Sequence, residues 1–141
     1  MAATNLKLEY LVDKYMKKAS EENSDALLEE LVAIILRNED IIIDGEKLSD
    51  GQVNPAHIQV TIDHRYYFHV YSSMIAFNKC QGKHAYILPL KKLLDSIYNN
   101  SDFGGITLNY QKNENTVLVS KEEIMNAMQK WLKDHTVKKD S

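Results

Sequence analysis

The sequence predicts an α+β domain: a mixed, mainly antiparallel sheet with amphipathic helices packed on it and a helix pair at the N-terminus. Three observations carry this. Apolar residues recur at helical spacing at both ends of the chain and once in the middle. Between them lie short runs rich in β-branched and aromatic residues, bounded by Gly, Asn and Pro. Successive runs are mostly separated by links of hairpin length, which favours antiparallel neighbours over parallel crossovers. The 141 residues, 44% hydrophobic and 26% charged, read as one domain over 1–141. A chain of this size buries about two-thirds of its unfolded surface without metal or disulfide.

Residues 5–19 read as the first helix, because Leu8, Leu11, Val12 and Tyr15 fall on one stripe. Ser24 is the expected cap of the second, with Asp25 at the positive end of its dipole. That helix runs to about Asn38 and buries Leu27, Leu28, Leu31, Ile34 and Ile35. Ile41-Ile42-Ile43 is a strand ending in an Asp44-Gly45 turn, and 46–56 reads as an irregular loop. Ile58, Val60 and Ile62 alternate with polar residues, which predicts a half-buried strand. Asp63-His64-Arg65 turns the chain, and Tyr66 to Tyr71 returns with Phe68 and Val70 opposite Tyr67, His69 and Tyr71.

Ser72 or Ser73 caps a short helix to about Lys79, with Ile75 and Phe77 partly buried, and Gly82 closes it. Ala85 to Leu88 is a short strand. Pro89 sits where a first helical turn tolerates a missing N–H, ahead of a helix carrying Leu90, Leu93, Leu94, Ile97 and Tyr98. Gly104-Gly105 opens the strand Ile106–Tyr110, Asn113-Glu114-Asn115 turns it, and Thr116–Val119 returns. Ser120-Lys121-Glu122-Glu123 is a capping box. The last helix aligns Ile124, Met128 and Trp131 on one stripe, which predicts a fully buried Trp131, and the tail beyond Asp134 is expected to fray.

Charge narrows the classes of partner. Seventeen Lys+Arg against 20 Asp+Glu, a net charge of −3, argues against nucleic acid. The C-terminal Lys130, Lys133, Lys138 and Lys139 are diluted by Glu122, Glu123, Asp134 and Asp140. The longest apolar run, Leu31–Leu36, is far short of the ~20 residues of a membrane span. The N-terminal residues carry no basic-then-apolar leader, and Cys80 is the only cysteine. Both point to a reducing, cytoplasmic setting.

The chemistry-bearing residues form no strong motif. There is no G-x-G-x-x-G and no P-loop. His57, His64, His69, His84 and His135 lack metal-ligand spacing, so neither a metal nor a cofactor is expected. His57 and His69 are expected on the same, non-core side of the hairpin. Cys80 ends a short helix whose dipole opposes a thiolate, while Lys79, Lys83 and His84 favour one, and a passive thiol is expected. Ser72 and Ser73 lack a Gly-x-Ser-x-Gly elbow, and Glu29-Glu30 and Glu122-Glu123 sit at structural helix positions.

Four segments in series are more specific than any one alone. They are Tyr67-Phe-His-Val-Tyr-Ser-Ser73, Tyr86-Ile-Leu-Pro-Leu-Lys-Lys-Leu-Leu94, Gly105-Ile-Thr-Leu-Asn109 and Val117-Leu-Val-Ser-Lys-Glu-Glu123. In order and spacing, over about residues 25–133, the chain resembles the N-terminal domain of the SseB (enhanced serine sensitivity) family. It departs at Tyr71-Ser72, where Phe-Thr is commoner, and at Tyr110, where proline often follows the asparagine. The resemblance implies a bacterial, cytoplasmic, single-domain form with no established biochemical activity, and it brings no catalytic residues.

Two functions are expected. The first is a non-enzymatic binding module for a protein partner or small ligand, with its surface at Tyr67, His69, Tyr71, Ser72 and Ser73 and with Asn109 nearby. If helices cover that face, the tyrosines are ordinary packing instead. The second is a small enzyme or sulfur-handling accessory protein with a cleft near His69 or Cys80. With one cysteine and no ligand cluster, neither reductant nor chelator should move the melting temperature. A fall of several degrees with either would overturn this.

Overall fold

The computed structural model describes residues 5–112 and 114–136. Asn113 of the last predicted turn, and the tail residues Lys138, Lys139 and Asp140, lie outside them. The elements run α1 (Leu6–Lys17), α2 (Glu21–Leu36), β1 (Asp40–Lys47), β2 (Val53–Pro55), β3 (His57–Gln59) and β4 (Tyr66–Tyr71). They continue with α3 (Met74–Lys79), β5 (Ala85–Pro89), α4 (Leu90–Tyr98), β6 (Phe103–Leu108), β7 (Val117–Ser120) and α5 (Lys121–Thr136). The fold class is α+β, with α1 and α2 packed together at the N-terminus. No helix among the described residues is long and apolar enough to cross a membrane.

The sheet is mixed and mostly antiparallel. β4 pairs parallel with β6, and the other pairings are antiparallel: β1 with β2, β4 and β5, β3 with β4, and β6 with β7. β1 and β4 meet only at Ile42↔Tyr71 and Ile43↔Val70. Where they part, β2 continues along β1 and β3 along β4. Ala56 joins the two: its N–H donates to the Asp44 carbonyl at 2.9 Å, and its carbonyl accepts from His69 N–H at 3.0 Å. The segment 46–56, predicted as a loop, therefore fills a wedge in the sheet.

Several local predictions are corrected. α2 begins at Glu21 with Ser20 as its cap, not Ser24: Ser20 Oγ accepts from Asn23 N–H at 3.1 Å. The buried Asn23 amide also donates to the Lys18 carbonyl at 2.8 Å, which shortens the link between the helices. β1 does not turn at Asp44-Gly45, because the Asp44 carboxylate accepts from the N–H groups of Gly45, Lys83 and His84 and holds β1 against the start of β5. β3 stops at Gln59, and Ile62 is 91% exposed at the tip of the turn. In α3, Ser73 is the cap, and Ile75 is exposed because six residues present only Ala76 and Phe77 inward. The left-handed residue after α3 is Gln81 (φ 63°); Gly82 instead leaves room for the Phe77 ring, which a methyl there would overlap.

The main core lies between one face of the sheet and α1, α2, α4 and α5. It joins Ile41, Ile43, Phe68, Val70, Ile106, Leu108, Val117 and Val119 to helix residues such as Leu8, Leu31, Leu94 and Ile124. A smaller cluster of Ile42, Tyr71 and Phe77 forms where α3 covers the other face.

The capping box of α5 is present. Ser120 Oγ accepts from Glu123 N–H at 3.1 Å, and Glu123 Oε1 accepts from Ser120 N–H at 3.0 Å. Burial fades along this helix. Ile124 is 1% exposed but Trp131 is 36% exposed, contrary to the stripe's prediction. The helix contacts α2, α4, β6 and β7, yet its residues from Gln129 to His135 are all exposed. It also stays helical to Thr136, past the predicted frayed end at Asp134. In chemical unfolding, Ile124→Ala should cost about 2–5 kcal/mol, and Ser120→Ala about 1 kcal/mol. Trp131→Ala should cost less than Ile124→Ala; the reverse order would contradict this placement of α5.

Candidate functional site

Alternation along β4 puts Tyr67, His69 and Tyr71 opposite Phe68 and Val70, as predicted. The exposed face expected there does not exist, for these three side chains are 5%, 6% and 3% exposed. The Tyr67 ring lies over Gly104, where a methyl would overlap it, and its hydroxyl donates to Asp63 Oδ2 at 2.8 Å. Burial, with that carboxylate, pushes the Tyr67 hydroxyl up to about 12. Tyr71 meets Phe77 edge-on at 5.2 Å. Residues from α3 and from the segment after β6 thus cover this face.

His69 is enclosed by its own polar and aromatic partners. Its Nδ1 lies 2.7 Å from Thr107 Oγ1, and Tyr110 stacks on its ring at 4.1 Å with an interplanar angle of 11°. Burial, aided by His57, lowers it to about 4, and Asp44 opposes the shift only weakly. A neutral imidazole results at pH 7. His57 does not join it. Register places His57 opposite Phe68, and its ring packs on Tyr66 and Phe68, so the two histidines lie on opposite faces. Among the described residues, no group of three or more His, Cys, Asp or Glu is placed to hold a metal.

Ser72, Ser73 and Asn109 do come together, around a residue the sequence did not single out. Ser72 N–H donates to Asn109 Oδ1, and Asn109 Nδ2 donates to Ser72 Oγ, both at 3.0 Å. Glu9 Oε1, from α1, accepts from Ser72 Oγ at 3.1 Å and from Ser73 Oγ at 2.6 Å. Ser73 Oγ also accepts from Ala76 N–H, as the cap of α3. Asn109 itself sits at φ 50°, a left-handed conformation asparagine tolerates, with its N–H on the Val70 carbonyl. These polar groups are spent on one another. In the sequence, Glu9 lies off the apolar stripe of the first helix, with no motif beside it to mark it.

Cys80 packs against the Ile42, Tyr71 and Phe77 cluster. Burial pushes its thiol up, and Lys79 offsets this only in part, which works against a reactive thiolate at neutral pH.

The principal concavity lies elsewhere, between α2 and α5 with α1 at one end. It encloses about 760 Å³ and is lined by Leu28, Val32, Ala33, Ala127 and Trp131 among others. Trp131 stacks flat on His135 at 3.9 Å, and His135 Nδ1 lies 2.8 Å from the Trp131 carbonyl oxygen. Glu30, 4% exposed, is held at the groove by Arg37 at 3.1 Å and Lys7 at 3.5 Å. The sequence hid this groove because Trp131 reads as core by spacing. The signal it did carry is the small Ala33 and Ala127 beside the stripe. A second groove of about 610 Å³ runs past Asp44, His57 and His84. In comparisons with family models, curated proteins and solved structures, the chain matches none.

The buried His69 makes stability depend on pH. It is held at about 4 in the folded chain, against about 6.5 unfolded. Between those values only the unfolded state takes up the proton. Stability therefore falls as pH drops from about 6.5 toward 4, by about 3 kcal/mol for this group. Unfolding free energies of wild type and His69→Gln at pH 7 and pH 4 should show a steeper loss in wild type. Equal losses would mean that His69 is not held neutral.

Proposed function

We propose that this chain is a non-enzymatic binding module and that it takes a protein partner in the groove between α2 and α5. The observation that carries this reading is Trp131: the chain's one tryptophan, 36% exposed on the wall of the groove between α2 and α5 and stacked on His135. Tryptophan in a concave, partly desolvated setting is the side chain most enriched among binding anchors. Ala33 and Ala127 leave space beside it, and the charged rim of Asp25, Glu29, Lys130 and Asp134 fits the polar surround of such an anchor. The internal bonding of Ser72, Ser73, His69 and Asn109 also favours a structural role for them. The raised Cys80 thiol weighs against the sulfur-handling alternative.

A photo-crosslinking residue in place of Asn126, on the groove, should capture a defined partner in cells. Ala33→Arg, which fills the groove from a half-buried position, should abolish the crosslink while leaving the melting temperature nearly unchanged. A crosslink that persists in Ala33→Arg, or none from the groove at all, would overturn the assignment.

A further inference from the structure

β5 is an edge strand whose outward backbone can be deduced from its register. Pairing with β1 runs Asp40↔Pro89 through Asp44↔Ala85. On either side of the strand pair, Leu90 N–H donates to the Glu39 carbonyl and Gly45 N–H to the His84 carbonyl. Hydrogen-bonded residues alternate along an antiparallel ladder. Tyr86 and Leu88 therefore turn their N–H and C=O groups toward β1. Ala85 and Ile87 turn theirs outward, and so does the Pro89 carbonyl. Among the described residues, no strand pairs with this side.

The edge is also apolar at its centre and basic at its ends. From Ala85 to Pro89 there is no charge, and the Ile87 side chain is 45% exposed. Lys83 precedes the strand, and Lys91 and Lys92 follow it. All three are exposed, and none of them makes an ion pair with a described residue. Edge strands often carry a charge within the strand that discourages pairing, and here the lysines flank the strand and leave its middle open. A second copy of this chain is a poor occupant. Antiparallel self-pairing centred on Ile87 would set Ala85 opposite Pro89 of the other copy and bring Lys83 toward the start of its α4, where Lys91 and Lys92 lie, like charge near like.

We infer that β5 is a docking strand for an extended segment of another protein, with apolar residues in the middle and acidic residues at both ends. The segment adds to the sheet beyond β5. Its main chain pairs with Ala85, Ile87 and the Pro89 carbonyl, an apolar side chain covers Ile87, and its acidic ends meet Lys83 at one end and Lys91 and Lys92 at the other. This surface is separate from the groove at Trp131, and neither assignment depends on the other.

The test uses the full chain and the peptide acetyl-Glu-Glu-Thr-Val-Thr-Val-Thr-Glu-Glu-amide, with hydrogen exchange read amide by amide. In the free chain, Ala85 and Ile87 amides should exchange fast while those of Tyr86 and Leu88 are protected. Saturating peptide should slow exchange at Ala85 and Ile87 by about tenfold or more. Ile87→Pro removes an outward donor and leaves the ladder to β1 intact, so it should abolish binding. Should that variant fail to fold, Lys83→Glu with Lys91→Glu changes only exposed side chains. It should weaken the acidic peptide by about tenfold or more and create binding of the same peptide with lysine ends. The inference is overturned by no binding at millimolar peptide, by equal affinity for acidic-ended and lysine-ended peptides in wild type, or by protection at Trp131 instead of Ile87. It is also overturned if the chain alone dimerises in sedimentation with Ile87 protected, which would make a second copy the occupant.

Discussion

The structure turns on β4, which is paired along both edges and buried on both faces. Phe68 and Val70 enter the main core, while Tyr67, His69 and Tyr71 are sealed from the other side. Each of those three needs its own cover: Gly104 beneath the Tyr67 ring, Tyr110 over His69, and α3 through Phe77 against Tyr71. Gly105 serves the other side of β6, where β7 pairs. A methyl there would strike the Val119 carbonyl, so β7 lies close on β6 only because that position lacks a side chain. The histidine tolerates its site because Thr107 supplies a hydrogen bond in place of water.

Carboxylates in this fold act mainly as ties between distant segments. Glu9 joins α1 to the end of β4, Asp44 joins β1 to the start of β5, and Glu122 on α5 takes both terminal guanidinium nitrogens of Arg65, each at 2.9 Å. Asp63 completes that last group by bonding both Arg65 and Tyr67, and the contacts lower both Asp63 and Glu122. Exposed ion pairs of this type contribute little each, about 0–1 kcal/mol. The bonds of Glu9 and Asp44 to hydroxyl and backbone donors are of the stronger, charge-assisted kind. Glu9 and Asp44 each gather donors around one carboxylate, whereas Arg65 bridges two, Asp63 and Glu122.

Much of the architecture was legible because it rests on periodicity. Helical spacing and capping residues located the five described helices to within a few residues, and alternation assigned the two faces of β4 correctly. The errors share a cause, since local pattern does not report what comes back from far along the chain. Asp44-Gly45 reads as a turn until the N–H groups of Lys83 and His84 arrive at the Asp44 carboxylate. Residues 46–56 read as loop because β2 and β3 exist only where β1 and β4 diverge. Trp131 reads as core because the stripe continues after the supporting layer has ended. For the candidate site, the sequence brought Ser72, Ser73 and Asn109 together correctly but missed the partner, Glu9, that consumes them.

The parallel pairing of β4 with β6 also has a consequence for synthesis. Between Tyr71 and Phe103 the chain must make α3, β5 and α4, and β5 must travel back to β1. When β4 first leaves a ribosome, Gly104, Thr107 and Tyr110 have not yet emerged. At about 5–20 residues per second, that gap lasts on the order of seconds. Throughout it, the nascent chain displays Tyr67, His69 and Tyr71 beside an unpaired strand edge. The aromatic surface that the finished protein hides is thus open to a chaperone, or to a neighbouring nascent chain, only during translation.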